Sequence, residues 1–166
     1  MKRAHPAESM AAATPVEARG EGAFRAFFDA HHGYVTAVSR RLLGGGDELE
    51  DVVQEVFLQA HRDLDQLRDA GLVRAWLRTV VVRTARRKLR LRALRRMLFS
   101  YDVDTAEFLS HEALSAEDRL VLEVVYLTLD QLPANERLAW ALRHIEQCEL
   151  HEVAASCGCS LATAKR

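Results

Sequence analysis

Three sets of side chains in this sequence are spaced to hold another macromolecule. The first lies in the C-terminal string LHEVAASCGCSLATAKR, residues 150–166, where Ala154 stands four positions before Gly158 and Ser160 can cap the helix that follows. Those types meet the mechanical needs of a helix-turn-helix: a small residue where two helices cross closely, a glycine that can turn left-handed, and a cap that starts the second helix abruptly. Val153, Cys157, Cys159 and Ala164 fall where the small core residues of such a motif belong. An Ala-x3-Gly spacing also arises in plain αα-hairpins. Here Ser160, Thr163, Lys165 and Arg166 add phosphate and base-edge donors on the second helix, which favours DNA binding.

The second set is basic. Between residues 70 and 101 the chain carries 10 Lys or Arg and no Asp or Glu. Arg74 and Arg78 come first, and Arg83, Arg86, Arg87, Lys88, Arg90, Arg92, Arg95 and Arg96 crowd behind them. A few cations spaced among acids would be an ordinary solvated face. A run with no counter-charge repels itself until phosphates replace the missing anions, and the counterions so released make binding steeply salt-dependent. Trp76 shares the register of Val73 and Val80, so it reads as a core anchor of this helix rather than a base-stacking platform.

The third set is acidic. Asp47, Glu48, Glu50, Asp51 and Glu55 lie off an apolar stripe, with Gln54 beside them. Asp51 and Glu55 form an i, i+4 like-charge pair that a merely solvated helix would avoid by interspersing Lys. The functional reading is a docking surface for a basic protein partner. No Gly-rich phosphate loop, GxSxG or HExxH occurs, so the chain is not read as an enzyme. His144, Cys148, His151, Cys157 and Cys159 could be assembled into a zinc set on paper. The later cysteines, however, occupy small apolar positions and their CxC spacing is not the usual knuckle. Neither metal nor cofactor is expected. His31-His32 likewise reads as one core-edge and one surface histidine.

Helices must position these groups. Phe24, Phe27, Phe28, His31, Val35, Val38 and Leu42 recur at three- and four-residue steps along a first helix, which Gly44-Gly45-Gly46 stops. Asp47 and Glu50 have capping-box spacing, and Leu49, Val52, Val53, Val56, Phe57, Ala60, Leu64 and Leu67 line a second helix. Asp69-Ala70-Gly71 turns into a third, with Val73, Trp76, Leu77, Val80 and Val81 inward. Residues 118–129 form a fourth, with Leu120, Val121, Val124, Val125 and Leu127 apolar, and Pro133 opens a fifth. No period-two alternation and no repeat is present. The expectation is an all-α fold of two small helical domains: a mobile tail over 1–23, a first domain over 24–96, a linker over 97–115 and a second domain over 116–166.

The whole chain of 166 residues balances 23 Lys and Arg against 24 Asp and Glu, a net charge of -1 that conceals the basic segment. Met1-Lys2-Arg3 is followed by Pro6 and Glu8 rather than an apolar run, so no secretory signal is read. No stretch approaches the roughly 18 apolar residues of a membrane span. Three cysteines, an odd number, suit a reducing compartment, so a cytoplasmic protein without membrane insertion is expected.

The string DELEDVVQEVFL over residues 47–58, the basic helix opened by Trp76-Leu77, and LPANERLAWALRHIEQCELHEVAASCGCSLATAKR over residues 132–166 together resemble bacterial RNA polymerase sigma factors of the sigma-seventy family, extracytoplasmic-function group. The likeness spans about residues 24 to 166 and implies sigma domain 2 linked directly to sigma domain 4. It implies that Asp51, Gln54 and Glu55 grip the clamp coiled coil of the core polymerase. It likewise implies that the loop from Leu67 to Arg74 cups an extruded base of the promoter minus-ten element. The helix from Trp76 to Arg90, with Arg78, Arg83, Arg86, Arg87, Lys88 and Arg90, would recognise and open that element. Ser160, Thr163, Lys165 and Arg166 would face the minus-thirty-five element, and an anti-sigma protein is a further partner the resemblance allows. Such a protein performs no covalent step; binding energy traps an unstacked base and tracks the single strand with cations.

Arg83 and Arg87 stand where many relatives carry Asn and Asp, which leaves the base preference open. The recognition helix reads as truncated, since Arg166 comes about two turns into it. Two other readings stay open at this point: a helix-turn-helix regulator that never touches polymerase, and a truncated sigma-like interaction protein.

Overall fold

The computed structural model describes residues 21–44, 48–63, 70–99 and 115–165. Every element among them is helical. The first helix, α1, is Glu21–Leu43. It begins inside the stretch expected to be a tail and buries Phe27, Val35, Val38 and Leu42, the three- and four-residue register read from the sequence. Gly44 ends it at a φ of 82°, a conformation that costs glycine little.

Helix α2, Glu48–Asp63, buries Val52, Val53, Val56, Phe57 and Ala60, and its first-turn acids Glu48, Glu50 and Asp51 suit the positive end of the helix dipole. The expected cap Asp47 and the stripe residues Leu64 and Leu67 lie outside the described residues. A 3-10 turn at Ala70–Leu72 leads into α3, Val73–Phe99. Helix α3 therefore continues past 96 into the stretch expected to open a linker, because Arg95-Arg96-Met97-Leu98-Phe99 contains no helix breaker. Residues 100–114 lie outside the described residues.

The C-terminal helices are α4, Ala116–Leu129; α5, Ala134–His144; α6, Leu150–Cys157; and α7, Leu161–Ala164. Ser115 caps α4 by accepting the Asp118 amide at 3.1 Å. Of the apolar residues of α4, Leu120, Val121, Val124 and Leu127 are exposed, while Tyr126 and Leu129 point inward.

Helices α1, α2 and α3 pack pairwise, α6 packs on α3 and α5, and α5 touches both α3 and α1. Val80, Val81 and Val82 are all buried. Three consecutive positions sweep about 200° of a helix, so α3 is covered on more than one side. One cluster of buried residues runs from Phe27 and Val56 through Val81 and Leu89 to Leu138, Leu142, Val153 and Cys157. Trp76 packs partly buried against it, as expected of an anchor. Among the described residues no helix is long and apolar enough to cross a membrane.

Candidate nucleic-acid interface

The turn between α6 and α7 has the geometry its residue types require. Gly158 adopts φ 63°, ψ 39°, and the Cys159 amide returns to the Ala154 carbonyl at 3.0 Å, closing the helix end over a buried alanine. Val153 and Cys157 are buried, and Cys159 and Ala164 pack against the core, the small positions assigned from spacing. Cys148 is buried in the same cluster. Ser160 caps α7 by accepting the Thr163 amide at 3.1 Å, with the two hydroxyls 2.9 Å apart. Ser160, Thr163 and Lys165 are exposed; Arg166 lies outside the described residues.

The basic helix α3 distributes its cations over distinct faces. Arg83 and Arg90 project into solvent with no hydrogen-bond or ion-pair partner among the described residues. Arg74 is exposed, its guanidinium 5.4 Å from the centre of the Tyr34 ring. Toward α2, Lys88 pairs with Asp51 at 2.9 Å and with Glu55 at 4.0 Å, and Arg87 pairs with Glu55. Arg92 and Arg95 meet Glu48 at 2.9 and 3.5 Å. The counter-charges that the basic segment lacks in sequence are thus supplied in space by its neighbour. Of the residues expected to meet polymerase, Asp51 and Glu55 share these pairs. Gln54 is exposed on the rim of an apolar groove of about 530 Å³ lined by Phe24, Phe28, Leu49, Phe57 and Leu58.

Toward α6, two cations expected to meet DNA are occupied. Arg78 donates to the Glu152 carboxylate at 2.7 Å, and Arg86 donates to the Cys157 carbonyl at 2.7 Å. Glu152 also accepts the Glu149 amide at 2.8 Å, and that backbone bond, with Arg78 second, holds its carboxyl below the ordinary carboxylate range. His31 stays at the core edge, tilted against Phe27 at 4.6 Å, and His32 is exposed.

Two polar residues at the heart of the packing, Arg137 and Tyr126, are not singled out by spacing, and Arg92 of the basic set joins them. Arg137 donates to the Leu42 and Leu43 carbonyls at 3.2 and 2.6 Å and pairs with Asp130; Arg92 adds a bond to the Leu43 carbonyl at 3.1 Å. The Tyr126 hydroxyl donates to the Arg41 carbonyl at 3.0 Å. The open carbonyls at the C-terminal end of α1 are thereby satisfied by side chains from α3, α4 and α5. Burial, and then neighbouring Arg92, pull the Arg137 guanidinium down to about 10, while burial pushes the Tyr126 phenol up to about 12. The sequence did hold one signal: Arg137 sits in register with Ala141 on the apolar side of α5, a cation where a core residue belongs.

The comparisons with known proteins agree with this architecture. The family described as Sigma-70 region 2 matches residues 27–97. The ECF RNA polymerase sigma-E factor of Escherichia coli strain K12 is 31% identical over 145 residues, covering 81% of this chain and 74% of that protein. The RNA polymerase sigma-H factor of Pseudomonas aeruginosa is 27% identical over 134 residues, covering 75% of this chain and 69% of that protein. Among solved structures, CnrH in complex with the cytosolic domain of CnrY shares the fold at a TM-score of 0.57 and 22% identity, over 92% of this chain and 84% of that one. With Sigma-70 region 2 matched over its α1–α3 region and a sigma-E factor 31% identical over 74% of that factor's length, the chain belongs to the extracytoplasmic-function group of the sigma-70 family of transcription initiation factors.

Proposed function

We propose that this sigma factor docks on core RNA polymerase through α2 and directs it to promoter DNA read by α3 and α7. In this reading residues 24–96 act as sigma domain 2 and residues 116–166 as sigma domain 4. The observation that carries it is the juxtaposition of α2 and α3 within the matched region: acids at Asp51 and Glu55 on one helix, cations from Arg74 to Arg90 on the next. Asp51, Gln54 and Glu55 offer the clamp coiled coil a carboxylate and amide surface. Arg83 and Arg90 are ready for phosphate, and Arg87 and Lys88 can exchange exposed carboxylates for it, since exposed ion pairs contribute only about 0.2–1 kcal/mol. Ser160, Thr163, Lys165 and Arg166 would face the upstream element.

The chain supplies binding and orientation and no covalent step. Energy released as cations meet phosphate and as an unstacked base is held offsets the cost of unpairing the duplex. In this reading it meets promoter DNA in the cytoplasm. The solved relative CnrH is held by the cytosolic domain of CnrY, and by analogy an anti-sigma protein is a further partner of this chain. The test combines purified core polymerase with the full chain. We expect co-elution and promoter-directed transcript, and expect Asp51→Arg with Glu55→Arg to cut core affinity by at least tenfold, about 1.4 kcal/mol, because like charges then face each other. Unaltered core affinity with unchanged helicity would remove the docking assignment.

A further inference from the structure

The solvent side of α3 is a ridge left open between the helices that pack on it. Thr79, Arg83, Arg87 and Arg90 follow one another along it at steps of four and three. Val81, Val82, Ala85 and Leu89 are buried on its other sides, and Arg86 reaches the Cys157 carbonyl of α6. Within the ridge Arg87 is held by Glu55 of α2, whereas Arg83 and Arg90 are exposed and have no hydrogen-bond or ion-pair partner among the described residues.

Freedom to meet phosphate does not separate these two arginines; their neighbours do. One turn before Arg90 stand Arg86 and Arg87, so its surroundings are cationic and suit a backbone that is charged at every nucleotide. One turn before Arg83 the ridge is uncharged. Thr79 stands there, its hydroxyl donating to the Ala75 carbonyl at 3.0 Å, and before it comes the half-buried Trp76. Arg74 and Arg78 are no exception: lying nine and five positions back, they are turned about 180° and 140° away, toward Tyr34 and Glu152. Arg83 is thus the first cation on the ridge, with a neutral surface on one side of it and a phosphate-binding surface on the other.

We propose that Arg83 is a specificity-determining residue of α3 and that the base it selects is guanine. The inference rests on the sigma reading of α3 as the promoter-facing helix and adds to it the identity of one base. A guanidinium offers only donors, so its fork pairs with two adjacent acceptors, the O6 and N7 of guanine. On the same edge adenine sets an amino donor beside N7, cytosine presents an amino donor, and thymine a single carbonyl beside a methyl, so none accepts both bonds. A base lying over Thr79 and Trp76 meets the Arg83 guanidinium at its edge, while the phosphates of its strand continue toward Arg87 and Arg90.

The test incubates holoenzyme, formed from core polymerase and the full chain, with fork-junction DNA whose single-stranded minus-ten segment is randomised, and sequences what is retained. Wild type should enrich guanine at one position by about tenfold, and Arg83→Asn, which offers a donor and an acceptor, should move that position to adenine. Arg83→Lys should keep guanine with a smaller enrichment. Arg90→Ala should leave every base preference unchanged, weaken binding to all probes alike, and shallow the log–log salt slope by about 0.7, as one lost phosphate contact on a single strand requires. Circular dichroism of each variant should match wild type, because both side chains are exposed. A wild type without guanine preference, or an Arg83→Asn chain that keeps its base preference and loses salt slope, would make Arg83 another phosphate contact and overturn the assignment. Failure to co-elute with core polymerase defeats the sigma reading instead, and the full chain alone on the same library then decides the guanine assignment by the same two outcomes.

Discussion

Helix α3 uses arginine in two ways, and its two sides make an internal comparison. Toward α2 the pair of Arg87 with Glu55 is open to water, its side chains 60% and 36% exposed. Toward the end of α1 the polar groups are enclosed, with Arg92 bonded to the Leu43 carbonyl and the Arg137 and Asp130 side chains 3% and 9% exposed. An exposed pair is screened by water and salt and can be exchanged for a phosphate at little cost. An enclosed guanidinium has lost its hydration, so its partners are obligatory and its removal strands carbonyls in the core. Similar side-chain chemistry thus serves recognition on one side and architecture on the other, with exposure deciding which.

The largest effect that would test this contrast is on stability. Arg137→Ala should cost about 3–5 kcal/mol in denaturant unfolding of the full chain, because Asp130 and two backbone carbonyls lose a buried cation. A loss below about 1 kcal/mol would place that guanidinium among the dispensable surface pairs.

An intermediate effect is expected from acid. The Glu152 carboxyl is held below its ordinary value of 4.5 in the folded chain by the Glu149 amide and Arg78. Its contribution is therefore fully present above 4.5 and is lost as pH falls through the depressed folded value. Unfolding monitored by circular dichroism over that acid range should lose part of its pH dependence in Glu152→Gln. An identical pH profile for the variant would mean that the cap and the Arg78 bond contribute nothing to folding.

The smallest effect on stability should come from Arg87→Ala, less than about 1 kcal/mol, since only an exposed pair is lost. The same change should reduce the salt slope of holoenzyme binding to promoter DNA by about 1, which a purely structural arginine would not do. An unchanged slope accompanied by a large stability loss would invert the comparison.

Much of this was legible in one dimension. The register of Phe27, Val35, Val38 and Leu42, and that of Val52, Val56 and Ala60, follows from the helical period alone, because a helix with one apolar side has one way to face a core. The helix-turn-helix is readable for a different reason: Ala154, Gly158 and Ser160 each meet a steric or hydrogen-bonding demand at a fixed offset, seen in the left-handed Gly158 and the Ser160 cap. The inward face of α4 is not legible in this way, because apolar residues occur all round the helix and only Tyr126 and Leu129 among them are buried. Val82 is buried off the stripe of Val73, Leu77, Val80 and Val81 because α3 is covered on more than one side.

Sequence by itself determined which segments are helical, where the helix-turn-helix lies and which segment carries uncompensated positive charge, since each depends on interactions within a few residues. Only the tertiary structure decided which cations stay free. The α2 carboxylates, the Cys157 carbonyl and the α1 C-terminal end reach α3 or α5 across tens of positions in the chain, and electrostatic pairing falls off with distance in space and takes no account of distance along the sequence.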